Sequence, residues 1–129
     1  MAYLHDDGEL LVLNTAFDGR TLEVGLFNNS VDNLSESSTF EDITSTPGGG
    51  DYEPQIVSDP NVSQNADEDA ELDLGELSYD ISDATDDIDY VYVRDDTSGE
   101  LIFTSALDQT YDLGSIDILD LTNVGMTLS

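Results

Sequence analysis

The chain has 129 residues, of which 30 are acidic and two are arginine; it has no lysine and no cysteine, and its net charge is -28. That length suits one domain over residues 1–129. The balance excludes disulfides, thiolate metal sites and direct contact with nucleic acid, which needs basic charge to meet phosphate.

Self-repulsion on this scale opposes compactness at low salt, whereas about 1 M salt shrinks the screening length to about 3 Å. A folded chain with these acids belongs in concentrated salt. Hydrophobic residues make up 38%, a lean share, but they recur at regular spacing, which acidic disorder does not show. No apolar run approaches the ~20 residues of a membrane helix. The N-terminus has neither the positive region nor the apolar stretch of a secretory signal. The expectation is a soluble chain with no membrane partner.

Asp6-Asp7-Gly8-Glu9 predicts a helix start, with Asp6 as its cap and Glu9 at capping-box spacing. Leu10, Leu13 and Phe17 follow at helical spacing, Leu11 widens the stripe and Gly19 ends it. The helix spans about residues 7–18, its stripe turned to the rest of the domain because so short a helix is not stable alone.

Leu22, Val24 and Leu26 alternate and predict a strand; Gly25 inside it marks a bulge or a close backbone approach. Residues 28–47 read as polar and irregular, with one helical turn around Phe40-Glu41-Asp42-Ile43. Gly48-Gly49-Gly50 is a flexible elbow, not a phosphate loop, since no lysine follows. Residues 51–57 form a short strand that Pro54 pushes to a sheet edge. Residues 59–71 read as a second polar segment.

Leu72 and Leu74, then Leu77, Tyr79 and Ile81, keep period two, as two strands or one bent at Gly75. Residues 89–94 and 100–105 predict a hairpin whose turn ends at Gly99. Residues 116–121 and 124–128 supply the last strands. The pattern predicts a mainly β protein, an antiparallel, jelly-roll-like β-sandwich with one short N-terminal helix. The expected core is Leu22, Val24, Leu26, Leu77, Tyr79, Ile81, Val91, Val93, Leu101, Phe103, Leu119, Leu121, Met126 and Leu128.

Catalysis is not expected. His5 is the one histidine and sits near a terminus, the hydroxyls have no activating base, and with this many acids a paired carboxylate has no specificity. No cofactor is required. Asp83, Asp86, Asp87 and Asp89 offer oxygen ligands to Ca2+ or Mg2+, as do Asp67, Glu68, Asp69 and Glu71, although neither group has EF-hand spacing. Diffuse association with Na+ or K+ needs no site. Tyr90 and Tyr92 share the strand face opposite Val91 and Val93, so they point outward or to a neighbouring subunit, or else pack on the adjacent strand.

The order of segments resembles a family of small virion structural proteins of tailed viruses, the tail-fibre or head-fibre type. The resemblance is carried by the N-terminal helix, the strand LEVGLFNN at residues 22–29, and Gly49-Gly50-Asp51-Tyr52-Glu53-Pro54-Gln55 with Asp51 inside the pattern. It continues in YVYVRDDTSGELIFTSAL at residues 90–107 and a final strand. The chain departs from it in its acidic surface and its lack of lysine and tryptophan, features of a halophilic member from a haloarchaeal tailed virus. The resemblance implies a β-sandwich with a non-enzymatic role in the virion, assembled in the host cytoplasm. It implies a homo-oligomer, in the usual case a closed ring, touching the major capsid protein or tail proteins. A capsid-surface turret or decoration subunit is the first expectation and a tail or baseplate protein the second. Two readings of other classes stand beside it. One is a halophilic cation-binding module; the other is a DNA mimic, for which the acids show no duplex-like register.

Overall fold

The protein was analysed as a computed structural model that describes residues 3–48, 50–58, 60–122 and 124–128. Gly49 of the glycine triplet and Asp59 at the head of the second polar segment lie outside the described residues.

Helix α1 (Asp6–Phe17) comes first, followed by strand β1 (Leu22–Phe27) and the one-turn helix α2 (Asn29–Asp32). A 3-10 turn over Phe40–Asp42 precedes β2 (Gln55–Val57), β3 (Asn61–Gln64), β4 (Ala70–Asp73) and β5 (Leu77–Asp80). The long hairpin β6 (Asp87–Asp95) and β7 (Leu101–Asp112) leads to β8 (Ile118–Leu121) and β9 (Gly125–Leu128). All pairing is antiparallel, in three sheets ordered β2-β1-β6-β7, β3-β4-β9 and β5-β8. The fold is thus mainly β, as the alternation predicts. Its partition into four, three and two strands is finer than the two sheets of a jelly roll.

One core joins the sheets. Leu22, Val24 and Leu26 of β1 meet Leu72 of β4, Leu77 and Tyr79 of β5, Val91 and Val93 of β6, and Leu119 and Leu121 of β8. Leu13 and Phe17 of α1 close one side. Of the expected core, Leu101, Phe103, Met126 and Leu128 are only half-buried, because they lie on the outer strands β7 and β9. Pro54 stands just before β2, and β2 is an edge strand, as a residue without an N–H requires. β3 is a strand inside the segment read as irregular. It carries a single large apolar residue, Val62, and lies largely exposed, so it leaves no period-two signal.

Aspartates end the strands. The last residues of β4, β5, β6 and β7 are Asp73, Asp80, Asp95 and Asp112. Each Oδ1 accepts the backbone N–H two residues on, from Gly75, Ser82, Thr97 and Gly114 at 2.9–3.1 Å. This local hydrogen bond holds the chain in a turn and competes with continuation of the strand. Part of the acidity is therefore architecture, not surface coating.

The start of α1 differs from its expectation. His5 is the N-cap and makes no side-chain cap bond; Asp6 already lies in the helix. Glu9 does not reach back to close a capping box. It shares a face with Leu13 and Phe17, four and eight residues on, and all three are buried where α1 packs against β3 and β4. Gly19 follows the helix with φ +70, as expected of a helix stop.

Candidate assembly surface

The central strands β1 and β6 are covered on both faces. Gly25 lies opposite Tyr92 in the register, and a Cβ at Gly25 would overlap the Tyr92 ring. Glycine is thus the close-approach device that its position in the strand predicts. The Tyr92 hydroxyl donates to Glu23 Oε2 at 2.8 Å, and its ring meets Phe40 edge-on at 5.1 Å. Arg94 faces Glu23 across the same pair of strands, Nε to Oε2 3.2 Å, and its guanidinium lies 3.8 Å from the Phe40 ring centroid.

Residues 28–47 therefore form a lid over this aromatic face. Tyr92 is 2% exposed and presents no surface to a second subunit; burial raises the pKa of its hydroxyl. Tyr90 is half-buried, 5.6 Å from Phe27. The outward or interface orientation expected for this pair fails for Tyr92 because the lid, which has almost no periodic pattern of its own, supplies Phe40 as cover.

Carboxylates fasten the lid. Asp89 accepts from Asn29 N at 2.7 Å and Ser30 Oγ at 2.8 Å, and Asp86 accepts from Gly48 N at 2.9 Å. Asp32 accepts from the N–H and hydroxyl groups of Thr44 and Ser45. Desolvation of Asp32 raises its pKa, but these donors outweigh it and hold the carboxyl below its usual value. Asp83 is exposed at φ +66 in the turn after β5, and Asp87 is exposed at the start of β6. The four candidate metal ligands Asp83, Asp86, Asp87 and Asp89 thus have separate surroundings. Among the described residues no three acidic or histidine side chains converge as metal ligands. Asp86 and Asp89 accept hydrogen bonds from the lid, while Asp83 sits in the turn after β5.

A different surface stands out by exposure. Leu11 is 68% exposed and Tyr3 76%, with Leu4 and Val12 about half exposed. Leu4 Cδ1 lies over Gly8, which is one turn from Leu11 and Val12, so the outer side of α1 carries a continuous apolar strip. Residues 10–17 contain no charge, in a chain where 25% of residues are charged. Leu11 was expected to widen the inward stripe. Instead Glu9, Leu13 and Phe17 define the buried face, and Leu11 falls opposite it. The strip's ends differ in charge, with Asp6 and Asp7 in the first turn and Arg20 just past the last.

His5 is exposed. Among the described residues no helix is long and apolar enough to cross a membrane. A surface cleft between β7 and β8, lined by Leu107, Asp108, Tyr111, Asp120 and Val124, pairs Tyr111 with Asp108 through a 2.6 Å hydrogen bond. No protein-family model, curated protein or solved structure matches this chain.

Proposed function

We propose that the chain is a non-enzymatic structural subunit of a virion, a capsid-surface turret or decoration protein of a haloarchaeal tailed virus, and that it associates with further copies of itself through the outer side of α1. The virion reading rests on the resemblance of segment order and quoted patterns. The association rests on one observation, the uncharged apolar strip of Leu4, Leu11 and Val12 on an otherwise acidic surface. Antiparallel pairing about a two-fold axis lays the uncharged stretch 10–17 of one copy against that of the other.

Light scattering in molar KCl tests the association. The wild type is expected to form a defined oligomer. Leu11→Glu is expected to weaken association by about 30-fold or more, as loss of an interface centre does, with an unchanged circular dichroism spectrum. A wild type that stays monomeric at every concentration, or a variant that associates equally well, contradicts the surface. Electron microscopy of purified particles tests the virion role: density for this chain on the capsid exterior is expected, and its absence from the particle ends that reading.

A further inference from the structure

The lid is joined to the strands beneath it without a ladder. Among the described residues, each hydrogen bond from the lid or Gly48 to β6 and the residue before it passes through a side chain. Asn28 Nδ2 donates to the Asp87 carbonyl at 3.2 Å, Asn29 N–H and Ser30 Oγ donate to Asp89, and Gly48 N–H donates to Asp86. Asp32 pins the two limbs of the lid to each other. It accepts Thr44 Oγ1 and Ser45 Oγ at 2.6 Å each, and the backbone N–H groups of both at 3.1–3.2 Å. Apart from the packing of Phe40 on Tyr92 and Arg94, carboxylates carry the closure.

A closure of this kind can be undone by protons. A charged acceptor makes a hydrogen bond roughly twice as strong as a neutral one, so acid weakens these ties together. Desolvation raises the Asp32 pKa, but its four donors outweigh it and hold it low. The stability that Asp32 lends is therefore complete above about pH 3.9 and is lost as pH falls through the lowered value. A cleft lined by Asn28, Val31, Thr44, Asp86 and Asp87 opens this end of the lid to solvent. The other acids of the lid are Glu36, Glu41 and Asp42. Around Asp86 stand Asp83 and Asp87 in the chain, Asp112 opposite Asp87 in the register, and Asp51 past the glycines. Under Phe40 lie Tyr92, Arg94 and their shared partner Glu23, with Tyr90 against Phe27. Arg94 is the one base in this set.

We propose that the lid is an acid-released latch: protonation of Asp32, Asp86 and Asp89 frees residues 29–48 from β6 and uncovers Tyr92 and Arg94, while the sheets stay paired. The ladder between β1 and β6 is made of backbone groups that acid does not titrate. Acid also reduces the net charge of -28 and with it the self-repulsion of the folded chain. Opening is then local, as for other segments held by few contacts. The latch shares no residue with the α1 strip, so it and the proposed association stand or fall separately.

Amide hydrogen exchange in molar KCl tests it, followed by NMR from neutral pH to about pH 3, below the ordinary carboxylate range. Protection factors at Asn29, Thr44, Ser45 and Gly48 are expected to fall by about tenfold or more, the loss of at least one charge-assisted bond. Those of the β1–β6 ladder are expected to hold, and the lid amides to recover at neutral pH. Asp89→Asn and Asp32→Asn keep the shape of the acceptor without its charge, and are expected to show the same loss already at neutral pH. There Glu23 and Arg94 remain paired, so the variants report the latch alone. Glu36→Gln, at an exposed lid acid, is expected to change nothing. If neither asparagine variant folds, the wild-type series carries the test. Lid amides that stay protected in acid, lid and ladder lost at one pH, or wild-type protection in both asparagine variants would overturn the latch.

Discussion

Replacing Tyr79 by alanine is expected to lower the unfolding free energy by about 3–5 kcal/mol, as deletion of a buried aromatic ring does. Tyr79 is fully buried on β5, its ring stacks on Tyr52 at 6.2 Å, and its hydroxyl donates to the Val24 carbonyl of β1 at 2.9 Å. It thereby fastens the two-stranded sheet to the four-stranded one. Tyr52 continues the chain of contacts, its hydroxyl accepting Leu26 N–H at 3.0 Å, beyond the point where β2 stops pairing with β1. Burial pushes the Tyr52 phenol up to about 12 and Tyr79 higher still, so both remain protonated under ordinary conditions. Tyr79→Phe keeps the ring and loses one hydrogen bond, for an expected cost of about 1 kcal/mol. Denaturant unfolding in molar KCl measures both. An alanine variant no less stable than the phenylalanine one would mean that the two sheets do not depend on this ring.

Gly50→Ala and Gly48→Ala are expected to differ sharply although they lie two residues apart. Gly50 has φ +66, and a Cβ there would overlap the Ser82 carbonyl and crowd Ala84 N, backbone atoms with no rotamer to escape into. The left-handed conformation costs a non-glycine residue about 1–2 kcal/mol, and overpacking adds about 1–3 kcal/mol. A Cβ at Gly48 meets nothing closer than Asp86 Oδ2 at 3.9 Å. Its substitution is expected to fall within about 0.5 kcal/mol of the wild type, as ordinary surface changes do. Urea midpoints of the two variants decide. Equal losses would mean that Gly50 is not held against the turn that follows β5.

The alternating strands were legible because one side of each must be dry: Leu22, Val24 and Leu26, or Leu77 and Tyr79, announce themselves by period two. Gly19 and Gly25 were legible for the same kind of reason, since each violates the pattern around it and needs a steric cause. β3 was not, because an exposed strand has no dry side to mark. Which of its two alternatives Tyr92 takes was not legible, because its cover comes from Phe40, 52 residues earlier in a segment without periodicity. Glu9 was misread because capping-box spacing and an inward helical face both fit position nine; packing against β4 chose the second. The acidic pairs were the least legible part. Asp32, Asp86 and Asp89 fasten a lid, and Asp73, Asp80, Asp95 and Asp112 end strands. Nothing in a dense acidic background separates such residues from solvated ones.

Folding of this anionic chain through screening of its carboxylates is the claim on which assembly rests. Circular dichroism and sedimentation velocity across a KCl series test it, from about 0.01 M, where the screening length is about 30 Å, to above 1 M, where it is about 3 Å. A compact β-rich species at high salt that expands and loses its spectrum at low salt is the predicted result. An unstructured, expanded chain at every concentration, or a fold indifferent to salt throughout, would contradict it.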